Sequence, residues 1–166
     1  GDEEIVNAYL LYDITQAQVT AIRTFTDVLG ASTVSLVSEI GATHVHSLHP
    51  TIPHGRSGTF GSGVASEDGF VTTNSWGYRV RVKGNYNNVF SGINLRPGIA
   101  FSHDVSGFAP QPGGAFQEGR KAVGLSLTAD YLNQYSATIA YTNFFGGDFN
   151  TNEDKDFIAA SMSVSF

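Results

Sequence analysis

The chain has 166 residues, a formal net charge of −6 and no cysteine. That length fits one domain or part of one, and the missing cysteine removes disulfides and thiolate chemistry. The acidic balance argues against a nucleic-acid partner, which calls for a basic surface. No run of about 20 apolar residues exists to form a membrane-spanning helix, and the many aromatic and β-branched residues separate the chain from disordered polymers. Residues 1–4 are acidic and no basic-then-apolar leader follows, so for an exported protein the numbering is expected to start after processing or inside a longer precursor.

Residues 1–14 are mixed, with an apolar cluster over 8–12 that fits either strand or short helix. A strand is expected over 15–28, where Ala17, Val19, Ala21 and Phe25 alternate with Gln16, Gln18, Thr20 and Thr24, although Ile22 and Arg23 break the pattern. After a short turn at 29–32, a second strand over 33–46 sets Val34, Leu36, Ile40 and Ala42 against Glu39. Residues 47–74 form a long stretch rich in Gly, Ser, His and Pro; loops of that length are usually functional or disordered. The alternation is clearest over 75–84, with Trp76, Tyr78, Val80 and Val82 against Gly77, Arg79, Arg81 and Lys83.

An Asn-rich turn is expected at 85–88, then a strand over 89–103 in which Pro97 suggests a bulge or bend. Residues 104–120 read as a second long loop. Two clean strands follow at 121–131 and 135–144, joined by a short turn at 132–134, and 146–156 is a polar, acidic loop. Over 155–166, Ile158, Ala160, Met162, Val164 and Phe166 share one face and Ala159, Ser161, Ser163 and Ser165 the other. This pattern, with an aromatic residue last, resembles the C-terminal signal that directs outer-membrane barrels to insertion, with Ile158, Met162, Val164 and Phe166 as its apolar positions.

These segments predict an all-β fold, an antiparallel up-and-down transmembrane β-barrel. Loop lengths alternate between short and long, as periplasmic turns and extracellular loops do in such barrels. Trp76, Tyr86, Tyr131 and Tyr135 fall near the ends of apolar faces, as an interfacial girdle requires. Glu39, Arg79, Arg81, Lys83, Arg96 and Asp130 fall mostly opposite the apolar face. A basic residue facing lipid at the midplane costs roughly 2–4 kcal/mol, so these six are expected in the lumen. Seven strands are counted, and an eighth over 4–12 would close a small barrel. Its lumen would be poorly filled by Gly, Ser and Thr, so the reading preferred is the C-terminal part of a larger barrel.

The stretches 16–26 (QAQVTAIRTFT), 39–46 (EIGATHVH), 113–127 (GGAFQEGRKAVGLSL) and 141–147 (YTNFFGG), followed by 156–166, resemble the C-terminal portion of a large proteobacterial outer-membrane family of undefined biochemical function. The similarity covers residues 6–166. It implies an incomplete barrel in the bacterial outer membrane and an association with uptake or handling of hydrophobic compounds such as fatty acids, steroids or their esters. No catalytic residue follows from it.

Candidate sites remain to be weighed. His44 and His46 share one side of a strand and His49 follows, with His54 further on; a Zn²⁺ or Cu²⁺ site is the sharper reading, solvated loop histidines the plainer one. Arg79, Arg81, Lys83 and Arg96 form a basic ladder with Glu39 and Asp130 as counter-charges: either a self-paired polar lumen or a strip that orients an anionic solute. No nucleophile-elbow motif supports a hydrolase. The run Asp148, Asn150, Asn152 opens like a Ca²⁺ loop but lacks its Gly and its bidentate Glu. The expectation is therefore a passive channel or transporter segment for hydrophobic or amphiphilic solutes, not an enzyme, with no cofactor, and with the loops at 47–74 and 104–120 gating or capturing the solute. Its partners would be outer-membrane lipid, the barrel-assembly machinery, and the remaining strands of a larger barrel in the same or another chain. A general porin, a structural or adhesive barrel and, last, an outer-membrane hydrolase are the alternatives.

Overall fold

Side-chain alternation with period two commits each segment to a strand, because successive side chains then point to opposite faces. The computed structural model describes residues 11–49, 55, 69–110, 116–150 and 152–165. Seven strands run in order: β1 (Ile14–Val28), β2 (Ala31–Val45), β3 (Asn74–Phe90), β4 (Ile93–Ser106), β5 (Lys121–Tyr131), β6 (Tyr135–Phe145) and β7 (Phe157–Val164). Each pairs antiparallel with the next, giving one sheet in sequence order. There is no helix among the described residues, and the sheet is not closed: β1 and β7 each pair on one side only. Residues 4–10 of the suggested eighth strand lie outside the described residues, as do His54 and Phe166; 11–13 are not strand.

Directly paired residues share a face, so the register defines two surfaces. One row reads Leu36, Val82, Ile99, Leu125, Tyr141 and Ile158 from β2 to β7, with Arg23 at its β1 end. One residue along each strand, the opposite face reads Thr24, Ser35, Lys83, Gly98, Ser126, Ala140 and Ala159. The apolar face is bare. Ile139, Ile158 and Met162 keep 55, 72 and 88 % of their surface exposed.

Several details correct the sequence reading. The β1–β2 register is unbroken through 22 and 23, so Ile22 joins the polar face and Arg23 the apolar one, its guanidinium 5.7 Å over the Phe25 ring. Residues 85–88 are strand, not turn: Asn85 Nδ2 donates to Thr33 Oγ1 at 2.6 Å, and the chain reverses at Ser91 and Gly92, both at positive φ. The same two-residue reversal, at Leu29 and Gly30, joins β1 to β2; both match the primed turns that suit twisted hairpins. Pro97 makes no bulge. The pairs flanking it, Lys83 with Gly98 and Tyr86 with Leu95, keep one register, and the β3–β4 shifts lie at 76/77 and 86/90. β4 runs on to Ser106, three residues into the expected loop.

Candidate functional site

On the polar face, β3 carries Arg79, Arg81 and Lys83 on alternate positions, and its neighbours supply small residues around them. Arg81 is flanked by Val37 and Ala100, and Gly124 and Thr142 continue its row. A concavity of about 480 Å³ lies over this floor, bordered by Glu39, Arg79 and Arg81. Two ion pairs sit at different depths. Glu39 Oε1 lies 3.9 Å from Arg79 Nη1, while its Oε2 accepts from Gln18 Nε2 at 2.6 Å and from Thr20 Oγ1 at 3.4 Å. Nearer the short turns, Arg96 Nη2 stands 2.7 Å from Asp130 Oδ2 as an ion contact without the alignment of a hydrogen bond. Among the described residues no carboxylate comes within ion-pair distance of Arg81 or Lys83. All six charged residues singled out in the sequence thus share one face.

The end of the sheet with the long loops holds most of the buried side chains. Gly41 and Gly77 are paired across β2 and β3, and the ring of Phe116, from the 107–120 loop, lies on them: a Cβ at Gly41 would stand 3.3 Å from Phe116 Cζ, and one at Gly77 3.0 Å from its Cδ1. Phe116 is only 4 % exposed. Its loop is anchored by Asp104, whose Oδ2 accepts from Arg120 Nε at 2.7 Å and from the Gln117 amide at 3.1 Å, with Arg120 Nη2 at 2.6 Å. Glu118 Oε2 accepts from the Gly107 amide at 2.7 Å. Phe108 packs edge-to-face on Phe149 of the last loop, their centroids 5.7 Å apart. The sequence reading did not anticipate this inward loop. The signal available was Gly in two paired strand interiors, a mark of close approach, with an acid and a base bracketing the loop.

The histidines do not converge. His44 and His46 meet edge-to-face at 4.6 Å, but His44 Nδ1 bonds Asn74 Oδ1 at 2.7 Å and His46 Nε2 bonds Thr15 Oγ1 at 2.8 Å. Among the described residues no three His, Asp, Glu or Cys side chains gather as metal ligands, His49 included. Asn150 braces its own loop, donating to the Gly146 carbonyl at 3.0 Å and accepting from the Asn152 amide at 3.1 Å. Asp156, before β7, accepts from Asn143 Nδ2 at 2.7 Å, Tyr141 Oη at 2.9 Å and the Phe144 amide at 3.2 Å. The Asn143 bond first, then that of Tyr141, holds its carboxyl below the usual carboxylate range. Ile158, Met162 and Val164 line the outer edge strand on the apolar face.

The family model described as "Protein of unknown function (DUF1302)" matches residues 3–166. The chain belongs to this family. The match takes in all seven strands and the inward loop, so the ion pairs and the Phe116 cradle lie within the family's own domain. No curated protein and no solved structure matches the chain.

Proposed function

We propose that this chain is part of the wall of a bacterial outer-membrane β-barrel that passes hydrophobic or amphiphilic solutes, fatty-acid- or steroid-like in size and polarity, without catalysis. The observation that carries the reading is the apolar row across β2 to β7, exposed from β4 to β7, set against an opposite face that holds Glu39, Arg79, Arg81, Lys83, Arg96 and Asp130. Water is a poor neighbour for the first surface and a good one for the second; a barrel in a bilayer satisfies both.

Aromatic residues support it. On the apolar face Tyr78, Phe101 and His103 cluster toward the long loops, their centroids 5.6 to 6.4 Å apart, and Tyr131 stacks on Tyr135 toward the short turns at 6.4 Å. From Tyr78 to Tyr86 along β3 is about 26 Å at roughly 3.3 Å per residue. With a strand tilt of about 40°, that is about 20 Å along the bilayer normal, close to the apolar band of such barrels. Arg23, among the described residues the one cation of that face away from its loop-side end, lies toward the short turns, where its guanidinium reaches the interface while its stem stays in the apolar layer. Among the described residues the outer long sides of β1 and β7 are unpaired, and they call for further strands, from the same or another chain, before the wall closes.

Planar-bilayer conductance of the full-length protein, with and without a long-chain fatty acid, tests the reading. Low conductance that the fatty acid alters, with the lipid bound in the same preparation, is the expected result. Steady ohmic conductance indifferent to the fatty acid would make it a general porin for small polar solutes instead.

A further inference from the structure

We infer that the loop pinned to the polar face by Phe116 forms a fixed constriction in the passage, and that the solute it admits is a slender amphiphile. This rests on the barrel reading above. A pair of Gly residues directly opposed in strand interiors forfeits packing and costs backbone entropy. Here that cost leaves a flat cradle of bare backbone, and an aromatic ring from a loop 39 residues downstream of Gly77 fills it. The ring is carried on the polar face, the side on which a passage would run, not on the apolar one.

Two concavities share that face. One, of about 340 Å³, lies between Phe116 and Gln16, Gln18, Glu39 and Arg79; the other is the 480 Å³ concavity beside Arg81. Glu39 and Arg79 border both. A solute entering from the long-loop end therefore meets the loop that the buried Phe116 holds down on one side, and an amide-braced ion pair on the other. It then reaches Arg81 and Lys83, which have no carboxylate of their own among the described residues. A body slim enough passes the loop, while a polar or anionic head finds partners along the strands.

The loop is built to stay. Asp104, with its side chain 5 % exposed, holds Arg120 and Gln117 together; the Gly119 amide donates to the Asp104 carbonyl at 2.9 Å, and the Ala109 amide donates to the Phe116 carbonyl at 3.0 Å. Bonds on both sides of the ring argue for a size filter of constant width, not a lid.

The test is single-channel conductance and vesicle-swelling flux of the full-length protein against its Phe116→Ala and Phe116→Leu variants. Flotation with the vesicles is measured on each. Phe116→Ala is expected to raise conductance at least about 1.5-fold and to admit larger sugars, with Phe116→Leu between it and the parent. If the parent is silent, opening by Phe116→Ala is the expected result. Variants that float with the vesicles and conduct no differently from the parent, silent or open, would overturn the constriction and leave the barrel reading standing. Should Phe116→Ala fail to float, Phe116→Leu, which keeps an apolar filler on the glycines, decides alone. A parent that does not float overturns both readings together.

Discussion

The strands and the loop end of this protein invert the ordinary relation between regular structure and core. In a water-soluble sheet protein the apolar strand face is buried and the loops are wet. Here Ile158 and Met162 stand largely bare, whereas Ala109, Phe116, Gln117 and Asn150, in loops, are among the most buried side chains described, with Asp104 at the loop-side end of β4. Among the described residues, the chain's own packing fixes the loops and leaves much of the strands' apolar side exposed.

The largest break in that comparison comes at the loop anchor. Removing Asp104 strips Arg120 and the Gln117 amide of a shared acceptor inside a mostly buried network. Breaking one side of such a pair costs about 3 to 5 kcal/mol. Asp104→Ala is therefore expected to lower thermal stability of the loop end and to expose residues 116–120 to proteolysis, while the hydrogen-exchange protection of β5 and β6 changes little. Equal loss of protection in β5 and β6 would mean that the loops and the wall form one cooperative unit.

The second test separates the two faces. Ile139 and Thr138 are adjacent on β6 and point to opposite sides; Thr138 shares a 2.9 Å hydroxyl bond with Thr128. Ile139→Arg is expected to cost about 2 to 4 kcal/mol of stability in a bilayer. Thr138→Arg, which gives up one hydrogen bond on the polar side, is expected to cost about 1 kcal/mol. Folding titrations in lipid vesicles measure both. Similar costs would remove the assignment of the apolar face to lipid.

Much of this architecture is legible in the sequence. Strands over 121–131 and 135–144 alternate through their middles, from Val123 to Tyr131 and from Tyr135 to Thr142, so a one-residue slip would turn those side chains to the wrong face. The turn after β3 was misplaced because Asn85 to Asn88 look like turn formers; instead Asn85 reaches across to Thr33, and Asn88 Oδ1 accepts from the Gly92 amide at 2.9 Å, bracing the true reversal. Pro97 misled in the same way. A residue without an N–H disturbs a ladder only where a partner carbonyl needs it, and the β3–β4 pairing has its gap opposite that position with the register kept. The charged residues of the polar face were legible from parity alone. The Phe116 cradle was not, because a loop has no period to read and the contact joins residues far apart in sequence. Only Gly41 and Gly77, each costly in a strand, hinted that something had to come close.

The smallest effect, and the most local, belongs to the hinge between the last loop and β7. Asp156 accepts three hydrogen bonds that only its ionised form takes up fully, which is why its carboxyl titrates below the usual range. A depressed folded pKa contributes stability above the unfolded carboxylate value of about 4, and that contribution is lost as pH falls through the lower folded value. The site is open to water, so the effect is expected to be confined to the start of β7 and the end of β6. Hydrogen exchange at Phe144 and Phe157, followed from about pH 6 to about pH 2 after correction for intrinsic rates, should show protection holding above about pH 4 and falling below it. Asp156→Asn should show reduced protection at every pH and no such fall. A parent protein whose protection at these two amides is flat with pH would mean that the three bonds hold the protonated carboxyl equally well, and that β7 is secured by its ladder with β6 alone.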